Sequence, residues 1–191
     1  MYDDVLEDIV FADFLVSAKV SVDPCKVLEE AKAMMGSDAG LKLSNGPETW
    51  HSAVDHSVPD GELGDCIQKS LTFADEYVRR KFDRRLSDNF DWWVNASHYG
   101  GYNSPHVHGK SDLIGLYYIK VPDTVSDLVL MRNDGSNYSP LYQATPGSAN
   151  LKITPVEGRF YMFPGHIWHY VEAQVSDEER VSMSFNMYVI P

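Results

Sequence analysis

The sequence predicts a mainly β fold of the jelly-roll kind, with α-helices packed outside it. Three observations carry that expectation. After Asn89, short apolar segments alternate with turn signals at regular spacing, the texture of a sandwich or barrel. Apolar residues at 3.6-residue spacing occur only before residue 88. The last segment alternates strictly: Val181, Met183, Phe185 and Met187 fall on one face, and Arg180, Ser182, Ser184 and Asn186 on the other.

Taken in order, Ile9 to Val22 is apolar and β-branched, with Asp13 and Lys19 interspersed, and reads as one or two strands. Pro24 suits a first helical turn, where its missing N–H costs nothing. Cys25 to Met35 is then a helix with Val27, Leu28, Ala31 and Met34 on one face, stopped by Gly36. Residues 36–60 carry Gly36, Gly40, Gly46, Pro47 and Pro59 and read as irregular loop. Gly61 to about Arg85 is a second helix, with Leu63, Ile67, Leu71, Ala74 and Val78 on its apolar face. Its basic end (Arg79, Arg80, Lys81, Arg84, Arg85) complements the helix dipole and reads as a solvated face. Strands are expected at Phe90–Ala96, Leu113–Lys120, Asp127–Met131, Asn150–Thr154, Arg159–Phe163, His169–Glu172 and Val181–Ile190.

The 191 residues suit one domain, with 1–88 as strand and helix support and 89–191 as the jelly-roll core. A net charge of −12 argues against nucleic acid or an anionic membrane as partner, but leaves room for a small anion in a local basic pocket. The two cysteines, Cys25 and Cys66, are too few for a disulfide framework and read as free buried thiols in a reducing compartment. The acidic start, Met1 to Asp8, lacks the features of a signal peptide, and no segment has the length of a membrane span. A cytoplasmic protein is the expectation.

The chemistry concentrates in a few residues. His106 and His108 stand two apart, after Pro105, which favours extended backbone before it. On a strand, side chains two apart project to the same face, and imidazole is a common ligand for iron, zinc, copper and nickel. Val107 then faces the other way, into packing. A third histidine follows at His169, with Arg180 eleven residues beyond it. A guanidinium offers a planar fork that grips a carboxylate with two hydrogen bonds, and Ser182 can add a hydroxyl to the same anion. The pattern reads as a metal pocket with an anion anchor.

These residues also carry a resemblance. Tyr99 to Gly101, Tyr102, Pro105, His106 and His108 resemble the start of the catalytic core in 2-oxoglutarate- and iron(II)-dependent oxygenases, especially prolyl-hydroxylase-like members. Gly158-Arg159-Phe160-Tyr161-Met162-Phe163-Pro164, leading into His169, resembles the family's approach to its distal ligand. The Pro-His-x-His pattern, Gly115-Leu116-Tyr117-Tyr118 and the Arg-x-Ser-x-Ser-Phe-Asn run from Arg180 are most similar to the 2OG-Fe(II) oxygenases of marine bacteria and phages. The resemblance spans about residues 90–190 and says little about 1–88.

It implies a double-stranded β-helix, cupin-like in form. It implies Fe(II) held by His106, His108 and His169, with 2-oxoglutarate as co-substrate, its far carboxylate on Arg180 and Ser182. It also implies hydrogen bonds to 2-oxoglutarate from Tyr117 and Asn95, and ascorbate as an additive in vitro. The family's usual Asp or Glu is replaced here by His108, so the ligand set is neutral; that could lower metal affinity, alter reactivity or favour another metal. Asp112 is the nearest carboxylate but has the wrong spacing to share a strand face with His108.

Other candidates read as structural. His166 belongs near the site or at the surface, Trp168 in rim or core packing, and Trp92 and Trp93 in the core. His51 and His56 read as solvated loop histidines, and Tyr99 and Tyr102 as weak site candidates. The leading function is a hydroxylase of an unidentified small-molecule or peptidyl substrate. Two alternatives stay open: a cupin-like metal-dependent dioxygenase or isomerase that does not use 2-oxoglutarate, and a non-catalytic binding module stapled by metal. Homodimers are the commonest assembly of soluble proteins and are the default here.

Overall fold

The computed structural model describes residues 13–37, 40, 48–131 and 150–191. The first expected strand lies partly outside them; within them it is the short β1, Val16–Lys19. Helix α1 spans Pro24–Ser37, with the Asp23 carboxylate accepting the N–H groups of Cys25 and Lys26 at 3.0 and 3.4 Å. Helix α2 spans Glu62–Phe82, and its first N–H groups are satisfied from α1: Glu30 accepts from Glu62 and Leu63 at 3.1 and 2.8 Å. Asp83 adopts a left-handed conformation, its N–H bonds back to the Arg79 carbonyl, and α2 ends. The tail expected to be helical, from Arg85, instead opens a long strand. The basic end of α2 is solvent-exposed, as its composition suggested, with Arg79 paired to Asp75.

The remaining elements are β2 (Thr49–His51), β3 (Arg85–Ser97), β4 (Asn103–His106), β5 (Leu113–Lys120), β6 (Leu128–Met131), β7 (Leu151–Ile153), β8 (Arg159–Pro164), β9 (Trp168–Val171) and β10 (Arg180–Ile190). Strands β2 and β4 were not expected. β2 lies in the stretch read as loop, where Gly and Pro outweighed a three-residue strand too short to show periodicity. β4 carries a proline, which demotes it to the sheet edge it occupies.

A six-stranded antiparallel sheet runs β1-β8-β5-β10-β3-β2, and a four-stranded sheet runs β4-β9-β6-β7. Together they form a jelly roll with both helices on one outer face. The six-stranded sheet is covered on both sides, which is why β5 and β8 carry apolar residues on both faces. On the helix side, Val181, Met183, Phe185 and Met187 of β10 pack with Trp92, Val94, Tyr117, Phe160 and Met162 against Val27, Ala31, Ile67, Ala74 and Val78. Each fully buried Phe or Met there stabilises the fold by about 1.5–3 kcal/mol. On the inner side, Ile114, Tyr118, Tyr161 and Phe163 pack against Leu128, Leu130 and Ile153 of the smaller sheet. Cys66 is buried and free, whereas Cys25 is free but exposed, because it faces outward at the start of α1. Among the described residues, no helix is long and apolar enough to cross a membrane.

Candidate active site

The two sheets enclose a cavity of about 330 Å³. Its floor is set by strand parity. In the ladder between β10 and β3, Arg180 pairs with Ser97, Ser182 with Asn95, Ser184 with Trp93 and Asn186 with Asp91. On the other side of β10, Ser182 pairs with Tyr118 and Ser184 with Leu116. All of these side chains belong to one face, because alternate residues on paired strands point the same way.

The smaller sheet supplies the histidines. His106 on β4 stands directly across from His169 on β9. His108 lies two residues past the end of β4, so it does not share a strand face with His106. Its position comes from a loop instead: its N–H bonds the Gly165 carbonyl at 3.0 Å, and Gly165 N–H bonds the Asp112 carbonyl at 2.8 Å. The contact is so close that a Cβ on Gly165 would stand 2.1 Å from the Ser111 carbonyl oxygen. Ring centroids are 4.3 Å apart for His106 and His169, 5.1 Å for His106 and His108, and 5.2 Å for His108 and His169. One nitrogen from each ring lies within 4.8 Å of the other two. Val107 turns away but is only half-buried and joins neither core cluster.

Every one of the three rings has Nδ1 against an oxygen: the Ser104 carbonyl (2.6 Å), Asn186 Oδ1 (2.5 Å) and the Ile167 carbonyl (2.9 Å), respectively. Nδ1 therefore carries the proton, and Nε2 is left with its lone pair. Burial holds His108 below the usual histidine range and, with His106 beside it, pushes His169 down to about 3. His108 and His169 are therefore neutral imidazoles at neutral pH, the form that binds metal. The donor set fits an Fe(II) or similar divalent ion through three nitrogens, with no carboxylate from the described residues in the cluster. Asp112 is elsewhere, accepting the Val189 N–H at 2.8 Å.

At the other end of the cavity sits Arg180, only 4% exposed. Its Nη1 and Nη2 donate to the Ser126 carbonyl and Ser97 Oγ at 3.4 and 3.3 Å, and neither acceptor is charged. Burial lowers its pKa, and the group nearest to an electrostatic partner is the Tyr118 phenol. Ser182 and Asn95 line the same cavity. Asn95 Nδ2 donates to Ser184 Oγ at 3.0 Å, while its Oδ1 is buried without a partner among the described residues.

Tyr117 is a correction. It lies on the helix side of β5, fully buried and hydrogen-bonded to the Cys66 thiol, and does not reach the cavity. Tyr118 does: it lines the cavity, and its buried hydroxyl has no partner among the described residues. The strand is buried on both faces, so the Tyr-Tyr dipeptide holds no sign of which ring turns inward. Trp93 also departs from the expected core role. It lines the cavity, stacked between His51 at 5.4 Å and His108 at 5.8 Å. His51 is buried rather than solvated, since β2 places it beside Asn95. Trp92 is the core anchor expected of it. His56 is exposed and pairs with Asp91, His166 is exposed and pairs with Asp13, and Trp168, Tyr99 and Tyr102 are exposed.

Residues 91–186 match the family profile described as "Putative 2OG-Fe(II) oxygenase". The chain belongs to this family of 2OG-Fe(II) oxygenases. The match runs from Asp91 to Asn186 and so contains all three histidines and Arg180. No curated protein matches this oxygenase by sequence. Its fold is similar to that of a Pseudomonas putida prolyl-4-hydroxylase (TM-score 0.65, 13% identity, 91% of each chain covered). It is also similar to a Trichoplax adhaerens prolyl hydroxylase in complex with a hypoxia inducible factor peptide fragment (TM-score 0.62, 13% identity, 91% of this chain and 83% of that one). A third likeness is to HygX from Streptomyces hygroscopicus with nickel and 2-oxoglutarate bound (TM-score 0.57, 11% identity, 91% and 82% covered). At such identities the likeness establishes the jelly roll that this oxygenase shares with them.

Proposed function

We propose that this oxygenase hydroxylates a small-molecule or peptidyl substrate, with His106, His108 and His169 holding Fe(II) and Arg180 anchoring 2-oxoglutarate. The single observation that carries the reading is Arg180: a buried guanidinium without a carboxylate partner among the described residues, in the same cavity as three clustered imidazoles. Burying an unpaired charge is costly, and a dianionic co-substrate supplies the missing counter-charge. Ser182, Tyr118 and Asn95 complete the anchor; the free Tyr118 hydroxyl and Asn95 Oδ1 offer a donor and an acceptor. When bound, Fe(II) supplies O₂ activation, which couples oxidation of 2-oxoglutarate to succinate and CO₂ with insertion of one oxygen atom into a substrate C–H bond.

The chain's own residues orient and exclude. Leu116, Ile114, Leu128 and Phe163 give the cavity apolar walls that keep water from the co-substrate. Trp93 forms the wall beside His108 and keeps that ring from rotating. Residues 1–88 and 89–191 act as one unit in this reading, the helices bracing the sheet whose inner face is the floor.

The test is succinate release by purified protein with Fe(II), ascorbate and 2-oxoglutarate. Slow release without prime substrate is expected, and it disappears in Arg180→Ala. Release that is unchanged in Arg180→Ala would favour a cupin-like enzyme without this co-substrate anchor.

A further inference from the structure

We infer that Asn186 and Asp91 are positioning residues for His108, and that they deliver from outside the imidazole set the negative charge which an all-histidine shell lacks. The inference rests on the metal site proposed above.

His106 and His169 are oriented locally, each by a carbonyl two residues earlier in the chain. His108 is different. It stands beyond the end of β4, and its Nδ1–H reaches into the other sheet, to Asn186 Oδ1 on β10. An amide can present either its oxygen or its nitrogen. Here the choice is made by Asp91, directly across the ladder from Asn186: Asn186 Nδ2 donates to Asp91 Oδ2 at 3.0 Å, which turns the amide oxygen towards the imidazole. The Ser111 hydroxyl, which lies 3.5 Å from the same amide oxygen, donates to the His108 carbonyl at 3.0 Å and so helps hold the loop.

Asp91 is itself held on both oxygens. Tyr188 donates its hydroxyl to Oδ2 at 3.0 Å, and His56 Nδ1 lies 3.0 Å from Oδ1. The result is a relay, carboxylate to amide to imidazole, that ends on Nε2. A carboxylate behind the amide polarises it, strengthens its grip on Nδ1–H and makes Nε2 a better donor to a cation. The relay ends on the one histidine at the position where the family's usual ligand is an acid.

The experiment measures Co(II) affinity by titration calorimetry, and the Co(II) absorption spectrum, on the full chain. Asn186→Ala is expected to weaken affinity about 10–100-fold. The decisive comparison is D91N against the D91N/N186D exchange, which differ by one isosteric change. The exchange keeps the ladder hydrogen bond but moves the charge next to His108, so it should bind Co(II) at least about tenfold more tightly than D91N, with a shifted absorption band. A role in packing alone predicts that the exchange binds no better than D91N, and that result would overturn the inference. So would wild-type affinity in Asn186→Ala. If Asn186→Ala does not fold, the isosteric pair decides alone. Failure of the wild-type protein to bind Co(II) would be a separate outcome, removing the metal site and this inference with it.

Discussion

Replacing Arg180 with Met should have opposite effects on stability and on ligand binding. Met keeps the apolar stem and removes the guanidinium. Among the described residues that group holds two hydrogen bonds, at 3.3 and 3.4 Å, each at the long end of hydrogen bonding and to a neutral acceptor. Such bonds contribute about 0.5–1.5 kcal/mol each. Against them stands the cost of a charge 4% exposed, several kcal/mol for an ion without a partner. The balance predicts a gain of about 1–3 kcal/mol on substitution, or roughly 2–10 °C in Tm for a protein of this size. Binding of 2-oxoglutarate should suffer the reverse, because its carboxylate loses a buried charged partner at a cost of about 2–5 kcal/mol, on the order of 30- to 5,000-fold in Kd. Thermal unfolding without ligand and calorimetric titration with 2-oxoglutarate and a redox-inert divalent metal measure the two halves. A destabilised apo-protein that binds 2-oxoglutarate as before would refute the reasoning: Arg180 would then be a structural residue with a partner of its own.

Three further outcomes follow from the same geometry. Tyr118→Phe should weaken 2-oxoglutarate binding about tenfold without loss of apo stability, since its buried hydroxyl has no protein partner, whereas Tyr117→Phe should leave that binding untouched; paired calorimetric titrations decide, and equal effects would contradict the assigned parity. Gly165→Ala forces a Cβ to within 2.1 Å of the Ser111 carbonyl, so the His108 loop must shift; a loss of about 1–3 kcal/mol in stability and weaker metal binding are expected, and a variant with wild-type melting and metal affinity would count against the loop's role. The metal-free protein should lose stability on acidification. Burial, then neighbouring His106, pushes His169 down to about 3, and burial lowers His51 and His108, whereas in the unfolded chain all three titrate near 6.5. Below 6.5 the unfolded chain binds more protons than the folded one, so stability falls with pH down to about 3, at up to about 1.4 kcal/mol per pH unit for His169 alone. A Tm that does not change between pH 7 and 5 would show that these imidazoles are not buried and neutral.

Much of the site was legible because strand parity is written directly in a sequence. The alternation of β10 separates Arg180, Ser182, Ser184 and Asn186 from the core residues between them, and the structure places the first three in the cavity lining. Length and turn signals located β5 to its ends, and β8 and β10 to within a residue. Tyr117 and Tyr118 show where such reading stops. On a strand buried on both faces, polarity no longer distinguishes inside from outside, and only pairing with Ser182 identifies the cavity-facing ring. Trp93 and His51 were misread for a related reason: their surroundings come from β2 and the His108 loop, neither of which has a periodic signal of its own.

What the sequence by itself determined were the residue types offered to the cavity and the alternating wall of β10, because these depend on residue identity and on a spacing of two along extended backbone. Only the tertiary structure decided that His106 and His169 meet across a ladder, that His108 is supplied by a loop strapped to Gly165, and that Asn186 and Asp91 stand behind it. Register and loop path are set by contacts between segments far apart in the chain, where the energy comes from packing two sheets and two helices together. No local pattern encodes which partner each strand will find.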